Sequence, residues 1–286
     1  MSSPELPASE SAVEDGPALS RPQWLARHRW LPFVLPFAVY MFTGALGAEW
    51  VPAAASDAGR AEAVRADQSG GPAIEDVSLD RPAPSRGYAL AYAFQFAATF
   101  LAVLLVAPVY RRVPWRVSGW SIVFGVVGVV AWIVICRAEL EVRLLTALGL
   151  ADWAGYVARP AFDPLTAFSG RPLELAVFLT VRFAGLALLV PVIEEFFVRG
   201  FLMRFFERAE WWTIPLGQVT WTAAVVATVY GMLAHPAEMI AAAVWFSLIT
   251  LLYARTRNLW DCVVAHAVTN GLLGIYILVS RDWTLW

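Results

Sequence analysis

Residues Leu188–Leu202 read LLVPVIEEFFVRGFL. Two adjacent carboxylates and an arginine sit here inside an apolar run. Residues Phe183–Ile193 carry no charge, and Phe196, Phe197 and Val198 directly follow the pair. A charge at the centre of a bilayer costs at least ~2.5–3.5 kcal/mol on insertion scales, so each one needs a reason. On a helix, Glu195 and Arg199 are i, i+4 and share a face, where they pair. Glu194 points about 100° away and gains no such partner, and its short stem cannot reach the headgroups. Pro191 removes one helix hydrogen bond just before the pair and is expected to kink the segment.

Working outward, the remainder of the chain supplies the membrane this stretch implies. Of 286 residues, 59% are hydrophobic and 15% charged, against about 25% charged in a soluble domain. All 21 basic residues are arginine, they nearly balance 23 acids, and the formal net charge is −2. Without a basic surplus, nucleic acid and other polyanions are excluded as partners, and the low charge argues against a soluble enzyme. Apolar runs recur at 31–48, 87–109, 118–136, 173–206, 219–234, 239–254 and 262–280. They predict seven spans, with room for an eighth within 137–172. All must be helical, because lipid offers no partner to an open backbone. The expected fold is an all-α polytopic membrane helix bundle of seven or eight transmembrane helices.

Residues 1–29 read as a disordered polar and basic tail, and 30–172 as N-terminal transmembrane helices with two polar loops, 49–86 and 137–172. Residues 173–286 form a helical core that holds the buried charges. Arginines cluster at Arg27/Arg29, Arg111/Arg112/Arg116, Arg204/Arg208 and Arg255/Arg257, all on one side of the membrane if the N-terminus is cytoplasmic. The all-arginine usage points to a prokaryotic plasma (inner) membrane. Cys136 and Cys262 lie in apolar runs without disulfide or zinc-site spacing.

The other charges inside apolar runs sort by chemistry. Arg182 lies about eight residues into its span and is long enough to snorkel outward. His28 falls in an interfacial basic stretch, where a headgroup-facing role suffices. His235 and His266 lie in or at the ends of apolar spans, and His266 and Asn270 are i, i+4 on one helix face. Counting ~1.5 Å per residue, Glu194 is expected ~15 Å from the level of Arg204 and His266 ~14 Å from that of Arg257. On the same count His235 comes out ~25–30 Å from the level of Arg255, unless its hairpin turns short of the outer surface.

Glu194-Glu195-Phe196-Phe197-Val198-Arg199, then His235, then His266-Ala-Val-Thr-Asn270 resemble the E-E-x-x-x-R, F-x-x-x-H and H-x-x-x-N motifs of the CPBP family, the CAAX prenyl protease and bacteriocin-processing intramembrane proteases. The resemblance covers about Leu173–Ser280. The tail Asn258–Trp286 resembles a narrower, exosortase-associated branch. One position departs from the pattern: where the family has Phe four residues before the second-motif histidine, this chain has Gly231, with Tyr230 one residue earlier.

The resemblance implies an intramembrane endopeptidase, with a membrane-anchored protein or peptide as substrate, membrane lipid around it and a sorting-system protein as further partner. Glu194 and His235 would activate a water; a carboxylate in an apolar site is a suitable general base. His266 and Asn270 would stabilise the oxyanion, and Glu195 and Arg199 would hold the helix. No cofactor is implied. A zinc site made of Glu194, His235 and His266 is the metal-dependent alternative. Two rivals remain. A proton-coupled transporter also uses buried ionisable groups, although here they cluster in the last 40% of the chain. A non-catalytic membrane scaffold would keep the same residues.

Overall fold

The computed structural model describes residues 28–48, 86–150 and 162–285. The expected tail over 1–29 (except its last two residues), the polar loop over 49–86 (except Arg86) and Trp153 and Tyr156 of the second loop lie outside those residues. Along the chain run α1 (Leu31–Ala48), α2 (Arg86–Tyr110), α3 (Gly119–Arg137), α4 (Leu140–Ala147), α5 (Pro164–Ala167), α6 (Pro172–Phe205), α7 (Trp221–Ala234), α8 (Met239–Thr256) and α9 (Leu259–Ser280). All seven apolar runs are therefore helices. Even α3 is one, although its Val- and Ile-rich sequence would suit a strand in water: in lipid the backbone must bond to itself.

Five of these helices, α2, α3, α6, α8 and α9, are long and apolar enough to cross a membrane, whereas the apolar helical stretches Leu31–Leu46 of α1 and Trp221–Ala234 of α7 are shorter. The protein is an all-α integral membrane bundle; seven or eight spans were expected, and among the described residues five helices are long enough to span, with two shorter apolar helices beside them. No eighth span occurs among the described residues. The reason is clearest in α7, where 14 residues at ~1.5 Å each reach only ~21 Å of a ~30 Å hydrocarbon core.

The bundle closes around the middle of α6. α3 packs on α9 and α8, α7 pairs with α8, α1 with α2, and α6 lies against α9 and α1. Gly125 and Gly128 let α3 approach closely: a Cβ at 125 would sit 2.7 Å from the Ala265 carbonyl oxygen, and one at 128 would sit 2.9 Å from the Trp245 indole nitrogen. Small residues at such crossings allow backbone-to-backbone packing in lipid. Thr269 Oγ1 uses the approach to donate to the Gly125 carbonyl at 2.9 Å. One end of the pair is pinned by Asp261, which accepts from the Ser118 backbone N–H at 2.7 Å and the Ser118 hydroxyl at 3.0 Å.

α6 is one helix of 34 residues that changes pitch twice, at π-helical segments Gly185–Leu189 and Val198–Leu202. The first follows from Pro191. In the wider register the Val190 N–H bonds to the Gly185 carbonyl, so the Leu186 carbonyl falls to residue 191, a proline with no N–H. The Asn270 side chain supplies the missing donor, Nδ2 to Leu186 O at 2.9 Å. The proline thus produces a π segment braced from α9, and the helix continues through it.

Candidate active site

Glu195 and Arg199 form the pair that their spacing predicts. Both are fully buried, with Arg199 Nη1 2.9 Å from Glu195 Oε2. Arg199 Nη2 also donates to the Phe246 carbonyl at 3.4 Å, and the guanidinium carbon lies 5.2 Å from the Phe246 ring centroid. A buried ion pair needs such extra contacts to offset the desolvation of two charges.

Glu194, one helical step round, has neighbours that the periodicity of α6 could not reveal. The Tyr230 hydroxyl donates to Glu194 Oε1 at 2.9 Å. His266 stands between the two carboxylates: Nδ1 is 2.9 Å from Glu195 Oε1, and Nε2 is 3.8 Å from Glu194 Oε2. A carboxylate only accepts, so Nδ1 carries a proton towards Glu195 and Nε2 is the nitrogen turned to Glu194. The Trp245 ring packs against the imidazole with centroids 4.5 Å apart.

His235 is the residue that helix length alone placed farthest away. α7 ends at Ala234 and α8 begins at Met239, so His235 stands in the short turn between them, on the wall of a cavity. Within a membrane, non-helical backbone is tolerated only where it faces protein or a cavity. Glu141 of α4 caps the start of α8, its Oε1 accepting from Ile240 N at 3.0 Å and Ala241 N at 3.3 Å. His235 Nδ1 is 3.0 Å from the Gly231 carbonyl oxygen, which fixes the proton on Nδ1 and makes Nε2 the acceptor nitrogen. The ring packs edge-on against Trp132 at 5.5 Å between centroids.

Glu194, His235, His266 and Asn270 all line one cavity of about 270 Å³. Its walls come from more of the chain than the motif-bearing core. Tyr40 of α1, Tyr92 of α2, Trp132 of α3 and Arg182 of α6 line it as well. Arg182 does not follow its expected outward course; its guanidinium lies over the Tyr92 ring, 4.7 Å from the centroid. Tyr40, Tyr92 and Trp132 carry no signal in the sequence, because a lone aromatic in an apolar run does not show which way it faces; Tyr230 stands beside the departing motif position.

That departure has a structural counterpart. A Cβ at Gly231 would collide with the Phe246 ring. Phe246, reaching across from α8, occupies the space a side chain at 231 would need, and its ring packs near both Tyr230 (5.6 Å) and His235 (5.9 Å). The aromatic absent from α7 is supplied by its neighbour.

For a metal, among the described residues no three His, Cys, Asp or Glu side chains are gathered as a ligand set. His266 Nδ1 is committed to Glu195, so Nε2 is the one ring nitrogen with which it could ligate a metal.

No curated protein and no solved structure gives a significant match to the chain. Residues 176–272 match the family model described as Rce1-like, type II CAAX prenyl endopeptidase. That stretch holds Glu194, Glu195, Arg199, Tyr230, His235, His266 and Asn270, the residues that the bundle brings around the cavity. Over residues 176–272, about a third of its length, the chain is therefore similar to the Rce1-like, type II CAAX prenyl endopeptidase family.

Proposed function

We propose that the protein is an intramembrane endopeptidase that hydrolyses a peptide bond of a membrane-associated protein or peptide. One observation carries this reading: Glu194, His235, His266 and Asn270, from α6, α9 and the end of α7, line a single cavity within the membrane-embedded bundle. Glu194 acts as general base. His235 Nε2 accepts one hydrogen of a water and Glu194 takes the other as the water oxygen attacks the scissile carbonyl. The oxyanion is met by the Asn270 amide, held in place by its bond to Leu186, and by Nε2 of His266 once that nitrogen carries a proton as well as Nδ1. Protonated Glu194 then gives its proton to the leaving nitrogen as the C–N bond breaks, and the water's second hydrogen, held by His235 Nε2, passes from the new carboxyl group to the amine, so a carboxylate and an ammonium result. Fixed donors in a site that excludes bulk water stabilise a developing oxyanion more than water does.

Within this reading, residues 173–286 form the catalytic core and the helices of 30–172 wall the cavity. The resemblance of the tail supports, as part of the same proposal, a role in an exosortase-associated sorting system of a prokaryotic plasma membrane. The test is a mass-spectrometric comparison of membrane-protein termini in cells carrying the wild type or Glu194→Gln. New termini should disappear in the variant at unchanged abundance of the protein. An identical set of termini at equal abundance contradicts the reading and leaves the scaffold.

A further inference from the structure

We propose that Glu141, on α4, is a positioning residue for His235: it holds the turn that carries the histidine, and through that turn the aim of His235 Nε2 at the water. This rests on the peptidase reading of the cavity and adds to it a residue from outside the stretch 176–272 that matches the family.

α4 carries its polarity the wrong way round for a helix in water. Its sequence is LEVRLLTA, and it exposes Leu140, Val142 and Leu144 while burying Glu141 and Leu145, which are i, i+4 on one face. Apolar side chains turned outward suit a helix lying against lipid. A carboxylate turned inward is costly unless hydrogen bonds replace its water. Glu141 finds them at the start of α8, where Oε1 accepts from Ile240 N and Ala241 N. The need is mutual. The first N–H groups of a helix have no partner within it, and Glu238, at the N-cap of α8, makes no capping bond with its side chain. The borrowed carboxylate also meets the positive end of the helix dipole.

Between this cap and His235 the chain is short and bonded throughout. Glu238 N donates to the His235 carbonyl at 3.1 Å, and Ala242 N donates to the Glu238 carbonyl at 2.8 Å. The histidine and the first turn of α8 therefore move together. His235 has itself left the helix, with φ −129° and ψ 65°, so the direction of its ring depends on where the turn is held. Two neighbouring helices hold it. α3 bears on the ring through Trp132, and α4 bears on the backbone through Glu141. These helices are joined by Ala138 and Glu139 alone, and Glu139 takes φ 52°, a left-handed conformation that L side chains rarely adopt. Such a residue persists where its surroundings fix it. Here it turns the chain sharply enough for α4 to pack on both α3 and α8.

The experiment is a double-mutant cycle on single-turnover cleavage in vesicles, using a peptide cleaved in cells. Misplacing a catalytic group by about 1 Å costs up to about 100-fold, so Glu141→Leu should slow cleavage roughly 10- to 100-fold, in kcat rather than KM. Glu141→Gln, whose amide oxygen still accepts from Ile240 and Ala241, should retain most of the rate. In a His235→Ala background the Glu141→Leu change should cost no more than about twofold, as for independent sites, because the group it positions is gone. A second readout needs no activity. The chain has three histidines, and the NMR imidazole signal of His235 should shift in Glu141→Leu while that of His266 stays. Should Glu141→Leu fail to accumulate, Glu141→Asp, which keeps the charge and withdraws it by one methylene, goes through the same comparisons. Equal losses in the two backgrounds, or an unmoved His235 signal, overturn the proposal and leave the peptidase standing. Cleavage that does not depend on Glu194 removes the peptidase reading, and this proposal with it.

Discussion

The hydroxyl of Tyr230 donates to Oε1 of Glu194 at 2.9 Å, joining α7 to the carboxylate of α6 that stands beside the Glu195–Arg199 pair. The bond aims Glu194 and holds one of its oxygens. Tyr230→Phe keeps the ring packing against Phe197 and Phe246 and deletes only this donor. Hydrogen bonds to charged groups are worth ~1.5–3 kcal/mol, so the cleavage rate should fall about 10- to 100-fold at unchanged abundance. An unaltered rate would show that Glu194 is aimed by other contacts.

Phe246 and Gly231 share one space. Gly231→Phe, which restores the family residue on α7, should destabilise the bundle by ~1–3 kcal/mol through overpacking, seen as a lower unfolding midpoint in detergent. Combining it with Phe246→Ala should recover much of that loss, since contacting sites are not additive. Additive losses would mean that the two side chains do not compete.

Glu194 and Glu195 should respond differently to loss of charge chemistry. Arg199→Met leaves Glu195 buried beside an apolar chain, and breaking a buried pair costs ~3–5 kcal/mol. The variant should be depleted from membranes in a quantitative immunoblot. Glu194→Gln keeps a hydrogen-bonding group of the same shape beside Tyr230 and should accumulate normally.

Asn270 answers for a missing backbone donor. Asn270→Leu should cost ~1–3 kcal/mol, the penalty for stranding the buried Leu186 carbonyl. Pro191→Ala returns an N–H at the position that the π register directs to that carbonyl, so Asn270→Leu should cost less in the Pro191→Ala background. Equal costs in the two backgrounds would separate the proline from the asparagine.

What could be read beforehand followed from local periodicity. Glu195 and Arg199 sit four apart on one helix, and their pairing needed nothing else. The seven apolar runs were legible because lipid enforces helices wherever they occur. His266 bridging both glutamates was not legible, because it depends on how α9 is rotated against α6. The Leu186–Asn270 bond was hidden because it exists only in a π register, one residue out of step with the α-helix the sequence suggests. The depth of His235 depended on where its hairpin turns, which residue counting leaves open; α7 stops after 14 residues.

The central claim is that Glu194 activates the water, and its most direct test is the single-turnover rate of purified protein in vesicles on a peptide cleaved in cells. General-base catalysis contributes roughly 10²- to 10⁴-fold. Glu194→Gln should therefore lose about that factor, with the same unfolding midpoint as the wild type and with the rate unaffected by a zinc chelator. A Glu194→Gln protein that turns over within about threefold of the wild-type rate, or a wild type that zinc removal silences, contradicts the account.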